Sequence, residues 1–279
     1  GNFDATVAEA ADRFHVELKP VTTGLADKGK DLGSDYSTLM KKKKLALLCG
    51  EGTSAGAVGE LWYYFERELD YPVSLINTSN VDQIGLSEYD VIILANGNYS
   101  KLNDTIIDYV KRGGRVIALE NAISIFSSEK STSLHKAVET RNEEKKTTES
   151  KEKIDDNSLL RRYEDERRHL LSERSAGSIY RVKIDSSHPY AFGLGNEWFV
   201  MKKNSAYPFL DKGSNIGYIL ESDPVAGFAG YKFRKQVKNT LVIGSEYLGK
   251  GEVIYITEDP YFRAFWKSGR ILLWNVIFR

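Results

Sequence analysis

The sequence predicts an open α/β sheet, mainly parallel, extended by an antiparallel β portion from its C-terminal third. Three observations carry that expectation. Short, nearly all-apolar runs (Lys44–Cys49, Tyr89–Leu94, Arg115–Leu119) recur, separated by stretches of helical periodicity. Strands buried on both faces read as such continuous runs, and strand–helix–strand order with short connections joins parallel strands by crossovers. From Ser178 onward the pattern turns to β.

Residues 1–40 hold a short amphipathic stretch, Val7 to Phe14, then Gly24, Gly29 and Gly33 in a polar setting. They read as a lead-in from a preceding domain, and residues 41–279 as the α/β domain itself. Lys44–Cys49, bounded by Gly50, is the first strand, and the basic run Lys41 to Lys44 is its solvated entry. Leu61, Trp62, Phe65 and Leu69 then fall at helical spacing, and Tyr71–Ile76 is a second strand entered through Pro72. Tyr89–Leu94 is the third strand. A helix carrying Leu102, Ile106, Tyr109 and Val110 follows, stopped by Gly113-Gly114 as a C-cap, and Arg115–Leu119 is the fourth strand.

Residues 127–157 interrupt this rhythm with Glu, Lys, Ser and Thr and few large apolar residues. They read as a charged, solvated insertion that cannot bury enough surface to fold alone. Leu159–Glu173 is charged and helical. Strands follow at Ser178–Ile184, Trp198–Lys203, Asn215–Leu220, Thr240–Tyr247 and Glu252–Thr257, the last two joined by a tight turn at Leu248-Gly-Lys-Gly251. An aromatic helical end closes the chain, with Phe262, Phe265, Trp266, Leu272, Trp274 and Phe278.

Composition narrows the function classes. In 279 residues, Lys plus Arg equals Asp plus Glu, so nothing steers the chain toward nucleic acid or anionic lipid. No apolar run approaches the roughly 18 residues of a membrane span. A single cysteine, Cys49, excludes an intrachain disulfide and a cysteine-based zinc site. The histidines form no H-E-x-x-H pattern, so no metal or cofactor is expected in this chain. The opening Gly1-Asn2-Phe3, without an initiating Met, reads as a piece of a longer protein.

Candidate site residues gather at predicted strand ends, where open α/β sheets bind ligands. Gly50-Glu51-Gly52-Thr53-Ser54-Ala55-Gly56 departs from dinucleotide spacing and carries a carboxylate that would repel phosphate. It reads as a tight turn lining a pocket with Glu51, Thr53 and Ser54. Asn96 and Asn98 after the third strand, and Glu120 and Asn121 after the fourth, are expected to converge on the same crevice. Glu120 and His188, the latter in Asp185-Ser-Ser-His-Pro189, are the candidates for acid–base chemistry.

A wider pattern links these pieces: Asp31-Leu-Gly-Ser34, Lys44–Cys49 with Gly-Glu-Gly-Thr-Ser, Val58-Gly-Glu-Leu-Trp62, Tyr89–Leu94, and Gly113-Gly-Arg-Val-Ile-Ala118. Asp185-Ser-Ser-His-Pro189, Phe192-Gly193, Gly249-Lys-Gly251 and Asp259-Pro-Tyr-Phe-Arg-Ala-Phe-Trp266 complete it. Together they resemble the C-terminal region of large bacterial zinc carboxypeptidase-like proteins, where a class I glutamine amidotransferase-like, flavodoxin-like domain follows the peptidase. The resemblance implies that Asn96-Gly97 occupies the oxyanion-hole loop and that Glu120 stands where the nucleophilic cysteine would be, which removes thiolate acyl transfer. It further implies that zinc belongs only to the upstream peptidase domain, and that the parent protein is exported to the periplasm or beyond.

Three functions follow as expectations. The first is a non-catalytic accessory domain that packs on the peptidase domain or binds peptide or cell-wall-like substrate. The second is a hydrolase using Glu120 and His188 as acid and base, which requires the two side chains to share a proton or a water. The third is a structural module with a dimer or interdomain face formed by aromatics such as Trp62 or Trp266.

Overall fold

The computed structural model describes residues 2–35, 40–151 and 162–279. The chain divides into two units, residues 1–41 and 42–279. In the first unit, α1 (Phe3–Phe14) starts at Asn2, whose side chain accepts the Ala5 N–H, and ends at His15 in the left-handed conformation; none of its residues is buried.

The second unit is built on one sheet, nine-stranded among the described residues, in the order β2-β1-β3-β4-β9-β8-β7-β5-β6. β1 (Leu45–Cys49), β2 (Val73–Asn77), β3 (Val91–Leu94), β4 (Arg115–Leu119) and β9 (Gly251–Ile256) are parallel. β8 (Thr240–Leu248), β7 (Ser214–Ile219), β5 (Ser178–Ile184) and β6 (Glu197–Lys202) continue it with antiparallel pairings. The sheet is parallel at its start and antiparallel in its C-terminal extension, as expected, except that β9, which the sequence pattern places in that extension, pairs parallel with β4.

Alternation explains the layers. Leu45, Leu47, Val91, Ile93, Ile117, Leu119, Ile254 and Ile256 feed one core, against α2 (Ala55–Tyr63) and α8 (Arg270–Phe278). Their neighbours Ala46, Leu48, Ile92, Leu94, Val116, Ala118, Val253 and Tyr255 feed the other, against α3 (Asn103–Lys111) and α4 (Ser124–Ser128). A side chain buried on either face contributes about 1.5–3 kcal/mol, so both faces must be apolar, which is why these strands read as unbroken runs. The Gly249-Lys250 turn between β8 and β9 sets Gly251 against the end of α3, where a Cβ would lie 2.2 Å from the Val110 and Gly114 carbonyl oxygens.

The segment expected to be a charged, solvated insertion is helical, and its residues from Glu139 to Thr147 are almost all exposed. Ser133–Lys151 forms a helix, α5. Its start is anchored by Glu246 of β8, which accepts the Ser133 N–H at 2.6 Å and the Leu134 N–H at 3.2 Å while Leu134 is buried. Farther along, Arg141 donates to the Ala206 and Gln236 carbonyls. These partners are 65 to 113 residues away in sequence, so local composition cannot reveal them. Residues 152–157 of that expectation lie outside the described residues. After them come α6 (Tyr163–Ser172) and, before β8, α7 (Tyr231–Val237). Among the described residues no helix is long and apolar enough to cross a membrane.

Candidate functional site

Strand directions decide which residues can meet. Four antiparallel steps from β9 bring β6 back to the direction of β4 and β9. The loops leaving β1, β3, β4, β9 and β6 therefore share one edge of the sheet, the carboxyl edge of its parallel half.

Glu120 follows β4 directly. It is buried and its φ is +50°, the left-handed region that a residue with a Cβ seldom enters, at a cost of about 1 kcal/mol or more. The turn aims a carboxylate into the crevice, and Lys203, one residue past β6, meets it with Nζ at 2.6 Å from Oε1. Burial raises the Glu120 carboxyl above the ordinary carboxylate range by more than Lys203 lowers it. Burial alone would lower Lys203, but the bond and charge of Glu120 outweigh that and hold the ammonium above its usual value. The two directions differ in what they favour: Glu120 holds Lys203 in its charged form, while burial works against the charge on Glu120 itself, so the geometry and not the titration identifies the pair.

Behind it lies a second, dry pair. Lys202 and Glu258 are wholly enclosed and bonded to each other. Glu258 also accepts the Ser205 hydroxyl and, at 3.0 Å, the Lys203 N–H, so one carboxylate fixes the backbone that carries Lys203. Next in sequence, Asp259 accepts the Tyr261 N–H at 2.9 Å. Burial, then the neighbouring Glu60 carboxyl of α2, pushes Asp259 up to about 7. The following turn holds Arg263 and Ala264 at φ +50° and +59°, and Trp266 donates to the Phe199 carbonyl of β6 at 3.1 Å.

The loops after β1 and β3 are laced together by backbone. Ser54 N–H donates to Asn96 O at 2.8 Å and Asn98 N–H to Gly52 O at 2.8 Å. Gly52 sits at φ +84°, and a Cβ there would lie 2.6 Å from the Asn98 carbonyl oxygen. The glycines thus serve loop pairing. Asn98 N–H is committed to this pairing. Thr53 turns its hydroxyl back to the Gly50 carbonyl, and Ser54 caps α2.

The expected residues are gathered unequally. Asn96, Glu120 and Asn121 line one cavity of about 400 Å³ with Lys203, Tyr207 and Glu258. Thr53, Ser54 and Asn98 line an open groove of about 570 Å³ that shares Asn96 and Asn121 with that cavity. Glu51 does not join them: its carboxylate pairs with Lys101 at 2.7 Å in solvent, beside a separate small pocket. His188 lies at the opposite edge. Its Nδ1 accepts the Tyr190 N–H and its ring packs on Tyr190, whose hydroxyl binds Glu252 beside Arg115 at the start of β4. The Glu120–His188 acid–base pair is therefore a wrong expectation: β5 runs against β4, so the loop it leads into emerges on the other side. A larger cavity of about 700 Å³ also opens at that opposite edge, among Asp82, Asp90, Asp108 and Arg112. It is remote from the strand ends where α/β sheets place ligands, and its acidic groups are engaged by Thr105, Lys44 N–H and Arg112.

Sequence reasoning missed Lys202, Lys203, Glu258 and Glu60 altogether. The doubled lysine ending a strand and the acidic pair preceding Pro260 were the signals that could have found them, but only the sheet order brings them to Glu120. Among the described residues no group of three or more His, Cys, Asp or Glu side chains is placed to hold a metal ion.

No family model matches the sequence, and no curated protein matches it. Solved structures do. A candidate GMP synthase subunit from Thermoplasma acidophilum superposes with a TM-score of 0.50 at 10% identity, over 84% of this chain and 92% of that one. A candidate ThuA-like protein from Parabacteroides merdae superposes with a TM-score of 0.50 at 12% identity, over 85% and 89%. The fold is glutamine amidotransferase-like. At such identities the likeness extends to the fold alone.

Proposed function

We propose that this chain is a non-catalytic amidotransferase-like domain, of flavodoxin-like type, that binds or positions substrate for a bacterial zinc carboxypeptidase-like protein. One observation carries the non-catalytic part: the turn after β4 presents Glu120, already neutralised by Lys203 at 2.6 Å, where acyl transfer would need a free nucleophile. No described histidine is bonded to Glu120, and Cys49 ends β1 with its thiol pushed up by burial. The link to a peptidase rests on the sequence resemblance, most of all on Asp259-Pro-Tyr-Phe-Arg-Ala-Phe-Trp266, whose Phe262 ring centre lies 5.9 Å from the Lys203 ammonium.

The test has two arms. Glutamine, ester and peptide hydrolysis are measured for the wild type and for Glu120→Gln; turnover in the wild type that the substitution removes would sink the non-catalytic reading. The chain is also titrated into a zinc carboxypeptidase domain taken from a protein bearing the same eight-residue stretch. A complex, or a change in KM for peptide, is the expected result, and its absence removes the peptidase link.

A further inference from the structure

The loops at the carboxyl edge carry amides and hydroxyls where a pocket for an apolar ligand would carry Leu or Phe. Asn96 and Asn121 belong both to the cavity over Glu120 and to the groove beside it, so the two form one continuous depression. Its size falls within the roughly 300–1,000 Å³ of small-molecule sites, and its walls combine amide and hydroxyl groups with apolar surface. The side chains of Asn96, Asn121 and Ser124 carry no hydrogen bond to any described residue. Asn204 accepts the Ser175 N–H through Oδ1 and keeps its amide donors free.

Charge narrows the ligand further. Glu120 is met by Lys203 and Glu258 by Lys202, so the floor is locally neutral. An anion would have to compete with Glu120 for Lys203, and a cation with Lys203 for Glu120. A charged peptide side chain would meet floor carboxylates and ammoniums that are already paired with each other. What remains is a neutral molecule dense in hydroxyls, with a ring face to set against the aromatic side chain of Tyr207 at the cavity wall.

We infer that this depression binds a neutral saccharide, its hydroxyls bonded by Asn96, Asn121 and Ser124 and one ring face against Tyr207. The inference rests on the reading of the crevice as a binding site and names its ligand class.

The experiment is calorimetric titration of the whole chain with cellobiose, maltose and diacetylchitobiose, with glucuronate and trialanine amide as charged and peptide controls. At least one neutral disaccharide should bind with Kd of order 1 mM or tighter, and Asn121→Ala should weaken it about tenfold. Asn121→Leu, which fills the groove from an exposed position, should abolish binding while circular dichroism stays native. Silence from all three sugars, preferential binding of glucuronate or the peptide, or indifference to both Asn121 variants overturns the inference. Cleavage of a bound sugar would instead overturn the non-catalytic reading and leave the ligand class intact.

Discussion

Two lysine–glutamate pairs side by side should respond very differently to the same isosteric change. Lys202–Glu258 is sealed, with side-chain exposures of 0% and 1%, whereas Lys203–Glu120 leaves its lysine 45% exposed. Glu258→Gln preserves shape and can still accept the Lys203 N–H, but it strands the Lys202 ammonium in a dry site with Ser205 as its remaining partner. Breaking a buried pair in this way costs about 3–5 kcal/mol, a large share of the roughly 5–15 kcal/mol that holds a domain folded. Glu120→Gln leaves an ammonium that water can reach, so its loss should stay near 1 kcal/mol. Urea unfolding followed by fluorescence of the four tryptophans reads both. Lys202→Met combined with Glu258→Leu should recover much of the loss, because the expensive species is the unpaired charge. A Glu258→Gln variant within 1 kcal/mol of wild type, or indistinguishable from Glu120→Gln, would refute the reasoning.

Glu246→Ala should detach the start of α5 by orphaning the Ser133 and Leu134 N–H groups and the Tyr255 hydroxyl, costing about 2 kcal/mol and opening residues 133–147 to protease. Asp259, held up to about 7 against an ordinary value near 3.8, keeps its proton more tightly when folded than when unfolded. Wild-type stability should therefore fall as pH rises from about 4 to 7, by on the order of 1–3 kcal/mol, and a Tm-against-pH profile of Asp259→Asn should lack that decline. Since Glu60 shares the titration, a flattened but nonzero slope in Glu60→Gln is the companion result. Gly251→Ala drives a Cβ into two backbone carbonyls of the α3 end and should cost more than about 2 kcal/mol in the same urea assay.

The strands β1, β3 and β4 were legible as apolar runs because burial on both faces of a sheet is a local demand on every residue. The Gly249-Lys250 turn and the C-cap at Gly113-Gly114 were legible for a similar reason, since backbone conformation selects glycine at the position itself. The antiparallel strands could be found but not ordered, because period-two alternation does not say which neighbour a strand pairs with. That ordering determined the site. It returned β6 to the carboxyl edge, so Lys202 and Lys203 reached Glu258 and Glu120, and it sent His188 to the far edge. The anchoring of α5 was hidden for the same kind of reason: its charged composition is poor in core residues, and the carboxylate that holds its start comes from β8, 113 residues away. The sequence by itself determined the strands, the turns and the carboxylate of Glu120 at the end of the fourth strand. Only the tertiary structure decided that this carboxylate is spent on a lysine, because a pair 83 residues apart is made by sheet order and leaves no periodic trace.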